Sequence, residues 1–146
     1  MSKKIRLKSG LNVNLLGDAD KVYASVKPKD KNCRYVVKPT NFHALTPKLT
    51  VSIGDKVKAG SPLFFDKYNK RVNFCSPVSG EIIDIVRGQK RRILEIVINS
   101  DIEIAYESFL TSSANDLTRE QIIDRMLKSG VWPFVRQKPY DIIANP

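Results

Sequence analysis

Four cations fall within six residues in the run Arg87-Gly88-Gln89-Lys90-Arg91-Arg92. Like charges held that close repel one another, and an anionic protein face or a lipid head group would relieve the cost. Arg87, Lys90, Arg91 and Arg92 are therefore the candidate interface residues, with a solvated, solubilising turn as the alternative reading. The whole chain shares the bias: 25 Lys and Arg stand against 15 Asp and Glu, a net charge of +10. That balance attracts nucleic acid, anionic lipid or an acidic protein surface, and charge alone does not choose among them. Aromatic residues are few and are not interleaved with the cations as a single-strand stacking surface requires, so nucleic acid is not an expected partner.

The remaining reactive side chains do not assemble into a catalytic pattern. His43 is the sole histidine and has no Ser, Cys or metal-ligand partner close in sequence, which marks it as a structural or surface residue. Cys33 and Cys75 lack the CxxC or CxxxH spacing of zinc and iron–sulfur sites, and two reduced thiols are expected, with a disulfide between them as the alternative. The glycines are scattered and form neither GxGxxG nor GxxxxGK[ST], so no phosphate-cradling nucleotide loop is present. Asp55, Asp66, Glu81, Asp84 and Glu95 lie beside turns or alternate along strands, where carboxylates face solvent. No catalytic, cofactor-binding or metal-binding residue is predicted.

The elements that would position the basic run are mostly short strands. Residues 21–26 (KVYASV) and 34–37 (RYVV) are β-branched or aromatic runs separated by the turn-forming KPKDKN segment. Residues 49–53 alternate apolar and polar side chains and meet Gly54-Asp55, which reads as a strand and a turn. Ala59-Gly60-Ser61-Pro62 leads into Leu63-Phe64-Phe65, and 71–74 forms a further strand ended by Ser76-Pro77, because proline lacks the amide a central ladder uses. Residues 81–86 should place Ile82, Asp84 and Val86 on one face, opposite Glu81, Ile83 and Ile85. Their partner, 93–98, should put Leu94, Ile96 and Ile98 together, with RGQKRR as the hairpin tip. Beyond Asp101 the period changes to helical. Thr118 and Gln121 form a capping box, Ile122, Ile123, Met126 and Leu127 make an apolar stripe, and Gly130 stops the helix, predicting 118–129 helical and packed on the β core. The tail WPFVRQKPYDIIANP shows no regular period, and the expectation is a chain cut from a longer protein.

Length and hydropathy bound the class. A chain of 146 residues with 42% hydrophobic content buries one ordinary core. No segment approaches the roughly 18 apolar residues of a membrane span. The basic start, MSKKIRLKSG, runs into Asn12, Asn14 and Asp18 instead of an apolar stretch, so no export signal is expected and the chain reads as soluble.

The order of elements in 49–86, an apolar run, GD, V, KAG, PLF, a charged tip, VNF, SP and GEI, resembles the biotinyl/lipoyl carrier fold, a small flattened β-barrel. In lipoyl domains the modified lysine precedes the proline of the later Ala-Pro step by eight positions, and counting back from Pro77 lands on Asn69. Lys67 and Lys70 flank that position without the Met-Lys-Met or Asp-Lys-Ala setting read by modifying ligases. A carrier function is thus the weaker alternative. More specific are GDKVKAG at 54–60, SPVSGEI with RGQKRR at 76–92, and the Trp–Arg–Pro segment at 130–146, which occur together and in order. They are similar to the amino-terminal region of the A component of the sodium-translocating NADH:quinone reductase. The resemblance implies a mostly β fold with a minor α part, a barrel-sandwich hybrid core with a short C-terminal helix. It also implies three regions: strands and basic loops over 1–48, the barrel-sandwich hybrid over 49–100, and a helical extension leading towards a next domain over 101–146. By the same resemblance the role is that of a peripheral scaffold on the cytoplasmic face of the bacterial inner membrane. NAD, flavins, the iron–sulfur centre and quinone belong to the complex and none is bound by this chain; the implied partners are the other subunits, with quinone a further partner of the full-length component.

Overall fold

The computed structural model describes residues 16–17, 21, 33–109 and 112–146. Of the strand expected over 21–26, residues 22–26 lie outside the described residues. Among the described residues, seven strands make two antiparallel sheets: β1 (Arg34–Val37), β2 (Pro47–Leu49), β3 (Lys56–Val57), β4 (Pro62–Asp66), β5 (Asn73–Cys75), β6 (Gly80–Arg87) and β7 (Ile93–Ser100). One sheet has the order β1-β7-β6-β3 and the other β2-β4-β5. Leu63, Phe64, Val72, Phe74, Ile82, Ile96 and Ile98 fill the space between them, each less than a twentieth exposed. Every such side chain stabilises the fold by about 2 kcal/mol relative to exposure. Phe64 and Phe74 stack at 4.6 Å between ring centroids, and Phe42 meets Phe74 edge-on at 4.7 Å.

Two expectations about facing fail for one reason. Along β6 and β7, Ile82 pairs with Ile98 but Asp84 pairs with Val97, so Ile83 is an extra residue. The bulge reverses the alternation behind it, and Ile85, not Asp84, joins Ile82 on the core side. A second shift, between Val86↔Glu95 and Arg87↔Ile93, makes Leu94 the extra residue on β7. Ile93 accordingly joins Ile96 and Ile98 in the core, while Leu94 lies over Gly88.

Strand limits also move. The expected strand at 49–53 is instead Pro47–Leu49 followed by a bend at Thr50, whose N–H still donates to the Leu63 carbonyl of β4 at 3.0 Å and whose hydroxyl donates to the Pro62 carbonyl at 2.8 Å. The Asp55 carboxylate then accepts from the Ser52 N–H, closing the turn that leaves Ile53 exposed. Arg71 belongs to the β4–β5 turn, where its N–H donates to Asn69 Oδ1, and the strand starts at Asn73.

Helix α1 (Arg119–Lys128) forms as its sequence requires. The Gln121 N–H donates to Thr118 Oγ1 and the Thr118 N–H to Gln121 Oε1, so both halves of the capping box are made. At the other end the Val131 N–H donates to the Met126 carbonyl and the Gly130 N–H to the Leu127 carbonyl, the paired closure of a Schellman motif. Leu127 is buried in the core, with Ile123 and Met126 packed against it, and Ile122 is half-buried. The tail is more ordered than its composition suggested. Trp132–Phe134 form a 3-10 turn, and β8 (Arg136–Gln137) pairs with β9 (Ile142–Ile143). Trp132 makes this possible: its ring is buried with the core, and its Nε1–H donates to the Ala144 carbonyl at 2.8 Å.

Candidate functional site

The β6–β7 hairpin carries Arg87, Lys90, Arg91 and Arg92 to one tip, all four exposed. The tip is shaped by its backbone. The Gly88 N–H donates to the Arg92 carbonyl at 2.7 Å and the Arg92 N–H to the Gln89 carbonyl at 3.2 Å. Between these bonds Lys90 and Arg91 both adopt left-handed conformations, with φ of 54° and 59°. That conformation costs a side-chain-bearing residue about 1–2 kcal/mol, so the turn holds its cations at the expense of the free domain. None of the four has an ion-pair or hydrogen-bond partner for its side chain among the described residues.

A second tip, the turn from Lys67 to Val72 between β4 and β5, carries the position counted in the sequence for a carrier's lysine. Asn69 stands at the counted position and is half-buried. Its N–H donates to the Asp66 carbonyl, its carbonyl accepts from the Val72 N–H, and its Nδ2 donates to Asn145 Oδ1 at 3.4 Å. Lys67 and Lys70 are exposed, with Lys67 Nζ lying 5.8 Å from the Tyr68 ring centroid. An amide bound into its own turn and to the tail has neither the nucleophile nor the freedom to swing that a carrier arm uses.

The residues with possible reactivity are spread out. Cys33 and Cys75 are both free thiols. Burial, with the Glu107 carboxylate as a second cause, pushes the Cys75 thiol up to about 11. Cys75 faces an apolar cleft of about 220 Å³ between the end strands β1 and β5, walled by Val36, Val37, Phe42, Phe74 and Phe134. Lys38 is the charged residue on that wall, and its Nζ is held by Glu95 at 2.8 Å. Glu81, Asp84 and Asp55 are exposed as expected, whereas Asp66 and Glu95 are half-buried, Asp66 accepting from the Tyr68 N–H. His43 is exposed and shares a polar recess with Arg92 and Thr40. Sequence spacing held no sign of that neighbourhood, because the loop carrying His43 is brought to the hairpin only by the pairing of β1 with β7. Among the described residues no group of three or more His, Cys, Asp or Glu could hold a metal ion, and no helix is long and apolar enough to cross a membrane.

Residues 5–101 match the family described as the NqrA N-terminal barrel-sandwich hybrid domain. Among similar proteins, the A component of the Na(+)-translocating NADH-quinone reductase of Vibrio vulnificus strain YJ016 is 33% identical over 138 residues, covering 93% of this chain and 30% of the relative. Its namesake in Haemophilus influenzae strain PittEE is 33% identical over 143 residues, covering 97% and 31%. That of Pseudomonas aeruginosa strain UCBPP-PA14 is 28% identical over 144 residues, covering 97% and 32%. The chain thus spans about a third of the length of the curated relatives it matches. Two facing antiparallel sheets, a carrier-like turn without its lysine and a family match across both lead to one assignment: the chain belongs to the NqrA N-terminal barrel-sandwich hybrid domain family.

Proposed function

We propose that this chain acts as the N-terminal scaffold domain of the NqrA component of a sodium-translocating NADH:quinone reductase, a complex coupling NADH oxidation and quinone reduction to sodium export. The family match over 5–101, with relatives named for that component, carries this reading. In it, the domain holds no cofactor, and the flavins, the iron–sulfur centre and the NADH and quinone sites belong to the rest of the complex. The domain sits peripherally on the cytoplasmic face of the inner membrane and docks on the other subunits. The barrel-sandwich hybrid over 49–100 is its core, 1–48 adds strands and basic loops, and 101–146 leads towards the next part of the protein. Exposed cations on a hairpin tip supply long-range attraction to an acidic face and accelerate encounter, so Arg87, Lys90, Arg91 and Arg92 form the docking contact.

The test is co-purification. A tagged NqrA protein containing this chain should bring the membrane subunits with it from detergent extracts, and recovery of the tagged protein by itself would refute the scaffold role. The carrier reading has one observation in its favour, the shared fold, and Asn69 at the lysine position against it. An intact mass equal to the sequence value is expected, and an increment of one lipoyl or biotinyl group would reinstate the carrier.

A further inference from the structure

The recess shared by His43 and Arg92 lies at the base of the docking tip and has Arg92 in common with it, but its chemistry is specific. It has a volume of about 310 Å³ and lies between the base of the basic hairpin and the loop that follows β1. Its polar lining residues are Arg92, His43 and Thr40, and Phe42 and Ile93 are among the apolar ones. None of those three polar side chains has a hydrogen-bond or ion-pair partner among the described residues. The backbone adds to them. Ala44 also lines the recess and is left-handed, with φ 57°. The N–H groups of His43 and Ala44 donate to no carbonyl among the described residues. Successive amides beside a left-handed residue form an anion-binding concavity.

The charges around the recess point the same way. No carboxylate lines it. Two acids near its walls are already engaged: Glu95 by Lys38 at 2.8 Å, and Asp141, which feels the His43 charge, by Lys138 at 2.6 Å and Arg136 at 3.3 Å. Arg136 lies 4.9 Å from the ring centroid of Phe42, adding a further cation behind the wall. Residues that carry a guanidinium fork, an imidazole and a hydroxyl line one concavity, and two of its lining residues have backbone amides without a carbonyl partner among the described residues. Such a set suits an anion that accepts hydrogen bonds from several directions, as a tetrahedral phosphate does, whereas a planar carboxylate uses fewer.

We propose that this recess, built on Arg92, His43, Thr40 and the His43–Ala44 amides, is a binding site for a phosphate group, presented by a lipid head group or by a soluble phosphate compound. Arg92 belongs to both the tip and the recess, whereas Lys90 and Arg91 belong to the tip and do not line the recess, so a Lys90 variant separates the two roles.

The experiment is a titration of the 146-residue chain with inorganic phosphate at constant ionic strength, followed by nitrogen-15 NMR. Saturable shifts should appear at the His43 and Ala44 amides and at the Arg92 side chain, and not with chloride. Arg92→Gln should weaken binding by about tenfold, the loss expected for one charge-assisted hydrogen bond. His43→Ala should weaken it several-fold, while Lys90→Gln should change it by less than about twofold, since a distant exposed charge contributes little. Sedimentation with phosphatidylglycerol–phosphatidylcholine vesicles then identifies the source. Vesicle binding lost in Arg92→Gln assigns a lipid phosphate, and saturable phosphate binding without vesicle binding assigns a soluble compound. Shifts that do not saturate, that chloride reproduces, or that Lys90→Gln reduces as much as Arg92→Gln would overturn the site and leave the docking role of the tip untouched.

Discussion

Replacing Gly80 by alanine should cost far more than replacing Gly54, although both residues are glycines with positive φ. Gly80 opens β6 between two neighbours, pairing with Val57 of β3 on one side and Ser100 of β7 on the other. Its φ is +156°, and a Cβ there would lie 2.0 Å from the Asn99 carbonyl oxygen, 2.8 Å from the Asn99 carbonyl carbon and 2.9 Å from Ser100 Cα. All three atoms are backbone, so no rotamer change relieves the clash, and the β3 pairing blocks retreat to the other side. The strained backbone costs about 1–3 kcal/mol. Separating β6 from β7 at this end loses about two ladder hydrogen bonds, each with a net worth of about 1 kcal/mol. The sum is about 3–5 kcal/mol, a large part of the roughly 5–15 kcal/mol that holds a domain folded. At Gly54, φ is +92° and nothing lies within 4 Å of the added methyl, leaving only the backbone term. Urea denaturation followed by tryptophan fluorescence at the sole tryptophan, Trp132, reads both. With a slope of about 2 kcal/mol per molar, Gly80→Ala should lower the midpoint by about 1.5–2.5 M, and failure to fold is the limit of the same effect. Midpoints for the two variants within about 0.5 M of each other would refute the close-approach argument.

Thr118→Ala removes the cap that accepts from the Gln121 N–H and should destabilise the chain by about 1 kcal/mol, seen as a lower melting temperature with unchanged β-sheet circular dichroism. Cys75, with its thiol pushed up to about 11, should be slow towards iodoacetamide at pH 8. Its thiolate fraction there is roughly a hundredfold below that of an unshifted thiol, and its rate should rise with pH until about 11. A Cys33→Ser background isolates that rate, and a Cys75 rate at pH 8 equal to that of a free thiol would show that the cleft does not shield it. Trp132→Phe keeps the ring in the core but leaves the Ala144 carbonyl without its indole donor, so the β8–β9 hairpin should lose amide-exchange protection while β6 and β7 keep theirs.

What could be read from the sequence was local. The Thr118–Gln121 box, the apolar stripe to Leu127 and the closing Gly130 specify α1 because each acts within a few residues. The RGQKRR tip was equally readable, since two β-branched runs flank it, and its cations gather by adjacency alone. The facing of Ile85 and Leu94 was not, because a bulge is a property of the pairing between two strands and leaves no mark on the period of either one. The tail misled for a related reason. WPFVRQKPYDIIANP has no repeat of its own, and its order comes from Trp132 entering a core built by strands far earlier in the chain. The Arg92–His43 recess was invisible on the same ground: a solitary histidine gains meaning only when a sheet brings a distant guanidinium beside it.

The central claim is that the domain docks on the other subunits through its basic tip, and assembly of the Arg91→Gln, Arg92→Gln double variant tests it most directly. Both residues are exposed and outside the core, so the fold should survive the change. The NqrA protein carrying the double variant should recover less of the membrane subunits than the parent at low salt. The gap should narrow as salt shortens the screening length from about 30 Å at 0.01 M to about 3 Å at 1 M. Recovery equal to the parent at every ionic strength would contradict the account and leave RGQKRR as a solvated turn.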